Sequence, residues 1–174
     1  MLNSDPAALA SWTELLLRLG LASALGLLLG LDREMRGHDA GIRTHALVAL
    51  SSAMIMVSSL MLYHELRTEE SGPDPLRAIQ GLSQAIGFIA AGLIFVRGGA
   101  VRNMTTAANI WVAAAIGIAC GLGQYRLVAV GVAFAVLLVT ILKLFERFLP
   151  AERADEESGD EGQRSVDTRR PSDG

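Results

Sequence analysis

Acidic, basic and imidazole side chains crowd into one stretch, GLDREMRGHDAGIRTHALVAL, where Asp32, Arg33, Glu34, Arg36, Asp39 and Arg43 stand with His38 and His45. Carboxylates beside imidazoles are what a metal site or a proton-transfer site recruits. Zinc, however, takes three or four converging ligands, each steadied by a further hydrogen bond, and the spacing of His38, Asp39 and His45 fits no such set. The two histidines read instead as residues in or next to a polar loop. A second candidate is Thr105-Thr106 followed by Asn109, at the start of a later apolar run. Two hydroxyls there cap a helix start, and the free N–H groups and positive dipole end would also favour an anion. Asn109, about one turn inside the apolar run, needs a partner from another helix, a pore or a substrate. Met54, Met56 and Met61 read as filling residues rather than copper ligands. Glu14 and Arg18, one helical turn apart beside Trp12, read as an interfacial ion pair. Phosphate-binding loops, nucleophile elbows and His-Glu-x-x-His helices are absent from the sequence, so no catalytic residue, cofactor or metal ligand is expected. The basic residues form no nucleic-acid face.

The elements that must carry these residues are apolar. Hydrophobic residues make up 51% of the 174 and charged residues 19%, and the mean hydropathy is +0.39. The apolar residues fall into blocks of roughly 20, the length that spans a hydrocarbon core of about 30 Å. They give about five spans, at 12–31, 44–63, 78–96, 105–123 and 127–148, and each must be a helix because lipid offers an open backbone no partner. The expected fold is an all-α, polytopic membrane helix bundle in the lipid bilayer. Ala22-Ser23-Ala24 resembles a cleavage site, but Asp5 and Glu14 stand where a basic start belongs and the apolar run continues to Leu31, so this helix is expected to be retained.

Arginine and lysine set the orientation. Arg33, Arg36, Arg43, Arg97 and Arg102 fall in two loops, 32–43 and 97–103, and Lys143, Arg147 and Arg153 flank the last span, against Arg67, Arg77 and Arg126 on the other side. The bias predicts an outside N-terminus and a cytoplasmic C-terminus. Three parts follow: a short external N-terminus (1–11), a transmembrane domain (12–149) and an acidic tail (150–174) too poor in large apolar residues to order itself. Cys120 is the single cysteine, which leaves no internal disulfide and suggests a small packing residue.

Two stripes of small and polar residues run along helix faces. In the third span Arg77, Gln80, Gln84, Gly87 and Ala91 share a face, with Gly92 beside it, and in the fourth Thr105, Asn109, Ala113, Gly117 and Gly121 repeat every four residues. Gly87, Ala91, Gly92, Ala113, Gly117 and Gly121 are therefore expected to pack helices closely, as Gly26 and Gly30 are in the first span. The stripes also admit a homo-oligomer.

The segments GLDREMRGHDAGIRTHALVALSSAMIMV, AIGFIAAGLIF and VRNMTTAANIWVAAAIGIACGLGQY, in this order, resemble the MgtC/SapB family of bacterial inner-membrane proteins. The resemblance covers about Gly26 to Tyr125, and carries over to Asp32, Arg33, Glu34, Arg36, Gly41, Arg43, Thr44, Gly87, Gly92, Thr105, Thr106, Ala107, Ala108 and Trp111. It implies a multi-pass protein of about five helices that serves adaptation to magnesium limitation, acid or life inside a host. The name-giving member is tied by gene neighbourhood to a magnesium-transporting ATPase, and the resemblance implies regulation, including of the F-type ATP synthase, rather than pumping. Asn103-Met104 replaces the family's usual Gly-Leu. The name-giving protein's folded C-terminal domain has no counterpart here, which leads to the expectation of the shorter branch of the family.

Asp32, Arg33, Glu34, Arg36, Gly41, Arg43, Thr44, Thr105, Thr106 and Asn109 thus make up the expected functional motif, lining a cytoplasmic vestibule that takes a partner or a small ion. A non-enzymatic regulator in contact with another membrane complex is the favoured expectation, because intramembrane acids suited to a hard cation are lacking. The alternative is a carrier or channel for Mg²⁺ or another small ion, its path lined by Gln80, Gln84 and Asn109.

Overall fold

The computed structural model describes residues 11–35, 37, 40–68, 74–97 and 100–148. It is built of five helices, α1 (Trp12–Met35), α2 (Ile42–Leu66), α3 (Leu76–Leu93), α4 (Met104–Gly121) and α5 (Tyr125–Phe148), with a hairpin of β1 (Phe95–Arg97) and β2 (Ala100–Arg102) between α3 and α4. The strands are antiparallel, with Phe95 opposite Arg102, Val96 opposite Val101 and Arg97 opposite Ala100. The chain divides into two compact units, 1–136 and 137–174, and the packing described here belongs to the first.

Among the described residues three helices, α1, α2 and α4, are long and apolar enough to cross a membrane. The expected third span is a helix as well, but Arg77, Gln80, Ser83 and Gln84 dilute it below that measure, and the expected fifth span is the 24-residue α5, apolar along 125–138. Two boundaries also move. The charged stretch was expected as a loop from Asp32, whereas α1 runs on to Met35, so that Asp32, Arg33 and Glu34 form its last turn. A cation there meets the negative end of the helix dipole. The third span was expected to reach Val96, but α3 stops at Leu93 and Phe95 and Val96 lie in β1. The short N-terminus to residue 10, Arg36, His38, Asp39 and the acidic tail fall outside the described residues.

Helix ends are set by specific groups. Gly41 stands at the start of α2 and supplies no side-chain cap, so the Ile42 N–H turns to Glu34 Oε2 at 3.0 Å. Asp74 Oδ1 accepts the Leu76 N–H at 2.9 Å at the start of α3. Asn103 enters α4 with φ 64° and ψ 17°, a left-handed conformation that Asn tolerates better than most residues. At the far end of α4, Gly123 N–H reaches Cys120 O and Gln124 N–H reaches Ala119 O, both at 2.9 Å, with Gly123 at φ 71°. That is the paired-bond glycine ending in which only glycine takes the positive φ freely.

Small residues fill the interior and large ones face out. Ala22, Ala49, Ala53, Ala113, Ala114, Ala119 and Cys120 are buried, while Leu16, Leu17, Leu27, Leu28 and Leu47 are exposed. Helices associate this way when their surroundings are as apolar as leucine, since close backbone approach then supplies the attraction. Glycines fix the register. A Cβ on Gly26 would stand 2.7 Å from Ala46 Cα, and one on Gly30 2.6 Å from Ile42 Cα, so α1 and α2 are antiparallel. A Cβ on Gly117 would stand 2.9 Å from Ala49 Cα, and one on Gly121 2.6 Å from Ala53 O, so α2 and α4 run in the same direction. α3 packs on this three-helix core through Leu82 and Ile86, against Ala40, Ile110 and Ala114.

Candidate functional site

Two arginines tie α1 to α4, one at each end of the core. Near its start, α1 carries Arg18, 1% exposed, in an apolar turn one face of which lies against the end of α4. Its Nε donates to Glu14 Oε1 at 2.8 Å and its Nη1 to the Gly121 carbonyl at 2.7 Å. Tyr125, at the start of α5, donates its hydroxyl to the same Glu14 oxygen at 2.8 Å. The carboxylate is thus shared by a cation and a phenol, and the cation also meets the carbonyl end of a helix, where positive charge is favoured. Gly123 makes room for this arrangement, because a Cβ there would lie 2.7 Å from Arg18 Nη2.

At the other end Arg33, buried in the last turn of α1, donates through Nη2 to Thr106 Oγ1 in the first turn of α4. Beside it Glu34 caps α2, and its carboxylate occupies the space that a Cβ on Gly41 would take. Fifteen residues separate Arg18 from Arg33, and fifteen separate Gly121 from Thr106. Equal spacing on two antiparallel helices lets both contacts form at once.

Between the two ends, the buried face of α2 carries His45 and Ser52. His45 Nδ1 lies 2.9 Å from Gly41 O. A carbonyl only accepts, so Nδ1 holds the hydrogen and Nε2 is left as an acceptor. His45 Nε2 and Ser52 Oγ are buried without a hydrogen-bond partner among the described residues, and the Arg33 charge lies within electrostatic reach of the His45 ring.

The expected motif residues distribute unevenly. Arg33 meets Thr106, and Glu34 meets the Gly41-Ile42 backbone, so the acidic-Arg-Glu turn and the Thr-Thr helix start adjoin each other. Asp32, Thr44 and Asn109 are half-buried and Arg43 and Thr105 exposed. Ala113, Gly117 and Gly121 are buried in the core, whereas Ala91 is exposed and Gly87 and Gly92 have nothing within 4 Å of a Cβ position. The small residues of α3 therefore make no close approach within the chain's described residues, because α3 turns Leu82, Ile86 and Ala90 inward. Among the described residues no three His, Cys, Asp or Glu side chains come together as metal ligands would. An apolar cleft lies further along α2, lined by Met54, Ile55, Ser58, Leu62, Tyr63 and Pro75, away from the motif.

The pattern of residues gave the Glu14–Arg18 pair, which the structure shows, but not its burial against α4 and Tyr125. An arginine seven positions into an apolar block is costly and is the signal that points to that burial; Gly121 stood out only as a small packing residue and Tyr125 carries no sequence mark. His45, expected in or next to the polar loop, stands in the first turns of the helix beside it, on the same buried face as Ala49 and Ser52.

The family model described as the MgtC family matches residues 19–148. A protein of Escherichia coli named "Putative magnesium transporter YhiD" is 38% identical over 135 residues, which is 77% of this chain and 61% of the relative. Protein SapB of Bacillus subtilis is 33% identical over 153 residues, 85% of this chain and 66% of the relative. Protein MgtC of Salmonella typhimurium is 40% identical over 112 residues, 64% of this chain and 45% of the relative. The chain thus spans between 45% and 66% of the length of these relatives. No solved structure matches it.

Proposed function

Since the chain belongs to the MgtC family, we propose that it serves as a multi-pass protein of the bacterial inner membrane, a non-enzymatic regulator in magnesium homeostasis and stress adaptation that works through contact with another membrane complex. The magnesium assignment leans on the printed name of the Escherichia coli relative. The multi-pass assignment leans on register. α2 and α4 lie side by side and point the same way, so if both cross the bilayer, α3 must bring the chain back. Its 18 residues reach about 27 Å, enough for the hydrocarbon core. The excess of arginine around the Arg33 end supports an outside N-terminus and a cytoplasmic C-terminus.

The observation that carries the regulatory reading is the closed core with a guanidinium at each end. Backbones touch at Gly26, Gly30, Gly117 and Gly121, and Arg18 and Arg33 stand where a cation moving along the α1–α2–α4 axis would have to pass. Mg²⁺ sheds water reluctantly and seeks carboxylate and carbonyl oxygens, and two fixed positive charges in a low-dielectric core oppose it. The relative's name favours a second reading, a carrier for Mg²⁺, with Gln80, Gln84 and Asn109 on the path. Mg²⁺ flux into liposomes holding the purified protein separates the two. The regulator gives no flux above empty liposomes, and a membrane partner is recovered by cross-linking in cells; flux that Asn109→Ala removes would overturn the regulatory reading.

A further inference from the structure

The outward face of α3 carries two exposed amides, Gln80 and Gln84, where those of α1 and α2 carry none. α1 and α2 turn Leu27, Leu28, Leu47 and Ile55 outward, as helices in lipid do. α3 buries Leu82, Ile86 and Ala90 and also exposes Leu76, Phe88 and Ile89, but beside them its exposed side carries Arg77, Gln80 and Gln84 with Gly81, Ala85 and Gly92. A Cβ on Gly81, Gly87 or Gly92 would meet nothing within 4 Å. On the reading above, in which α3 recrosses the bilayer, two amides on its outer face stand at membrane depth. Lipid offers an amide no hydrogen-bond partner, so a protein surface must cover that face.

We propose that a second copy of this chain covers it, through parallel pairing of α3 with α3 about a two-fold axis along the membrane normal. The face is complementary to itself. A glutamine amide both donates and accepts, so Gln80 and Gln84 can satisfy the same residues of the partner copy. Asp74 and Arg77 are both exposed at one end of the helix, less than one turn apart, so each copy's carboxylate faces the other's guanidinium when the helices run parallel. Copies inserted with one orientation can pair only in parallel about such an axis, and an isologous contact of this kind closes at two subunits. Gly81 and Ala85, four residues apart and both exposed, let the two backbones approach.

The test is cysteine cross-linking of the full-length chain in native membranes, in a Cys120→Ala background. Gln80→Cys and Gln84→Cys should give a disulfide-linked species of twice the 18.5 kDa chain mass, in several-fold higher yield than Leu28→Cys on the outward face of α1. The double variant Gln80→Leu/Gln84→Leu should lower the cross-linking of Phe88→Cys about tenfold, the worth of two interhelical amide bonds. Equal yields at Leu28→Cys, or cross-links from α3 to a different protein, would overturn the second copy as partner. Labelling with a membrane-impermeant maleimide separates the two layers of the argument. Gln84→Cys that stays unlabelled and monomeric sinks the dimer alone, while Gln84→Cys that labels freely places α3 in water and sinks the membrane-crossing reading with it.

Discussion

Gly117→Ala should be among the most damaging single-methyl additions in the chain. The new methyl would stand 2.9 Å from Ala49 Cα and from its carbonyl carbon, and nearer still to the carbonyl oxygen, where ordinary carbon contacts need about 3.5–4.0 Å. These are backbone atoms within a helix and cannot swing away, so α2 and α4 must part by about 1 Å. A gap of that size forfeits between a quarter and a half of the attraction of each atom pair, each worth about 0.1–0.2 kcal/mol. With roughly 50 pairs along the contact, the loss is about 3 kcal/mol, in the upper part of the range for overpacked cores. That is about a hundredfold in the folding equilibrium. SDS titration of the protein in mixed micelles, followed by far-ultraviolet circular dichroism, measures it. Gly20→Ala is the control, since a Cβ there meets nothing within 4 Å, and it should be neutral or gain about 0.5–1 kcal/mol from helix propensity. If the two variants unfold at the same SDS fraction, α2 and α4 do not touch at Gly117 and the parallel register is wrong.

Arg18→Met should destabilise by about 3 kcal/mol in the same titration, because it strands the shared Glu14 carboxylate and the Gly121 carbonyl, and adding Glu14→Gln should recover part of the loss; an additive double variant would show that the two side chains do not interact. Asn103→Val should cost about 1–2 kcal/mol more than Asn103→Gly, for a branched residue at φ 64°; equal midpoints would remove the left-handed entry to α4. Arg43→Ala, at an exposed position, should stay within about 0.5 kcal/mol of wild type and remain at full level in the membrane while failing to complement growth under magnesium limitation, and normal growth would take Arg43 out of the functional motif. Reporter fusions after residue 150 should be active when the reporter requires the cytoplasm and silent when it requires export; the reverse pattern would invert the orientation.

The helices were legible from the apolar blocks, because a membrane span is written in local composition and each block reappears as a helix. What went unread lies between blocks distant in sequence. Glu14 and Arg18 showed as an i,i+4 pair, but an interfacial pair and a buried one look the same until the Gly121 carbonyl, 103 positions away, is brought against the arginine. Gly117 and Gly87 illustrate the same limit. Each follows a small-residue rhythm, yet one is pressed against a backbone and the other faces open space, since rhythm identifies a face without saying what meets it. The end of α3 was misplaced because Phe95 and Val96 prolong an apolar run that the β1–β2 pairing interrupts. The extension of α1 through Asp32, Arg33 and Glu34 was hidden by charge, which reads as loop unless the buried hydroxyl that receives Arg33 is known.

The equal spacing of the two arginine contacts makes α1 and α4 a gauge of bilayer thickness. Fifteen residues between Arg18 and Arg33 amount to about 22 Å along a helix, well short of the roughly 30 Å of an average hydrocarbon core. With the bundle crossing the bilayer as proposed, the two guanidinium groups would be held inside the depth that lipid tails otherwise occupy, and neither could move outward without breaking its bond to α4. On that reading the surrounding bilayer would thin toward the protein, or admit headgroups and water at both ends of the bundle, at a cost that grows with each ångström of mismatch. The protein should then be most stable in bilayers of short-chain lipid and lose stability as the acyl chains lengthen, so that lipid composition itself becomes a variable to which this bundle responds.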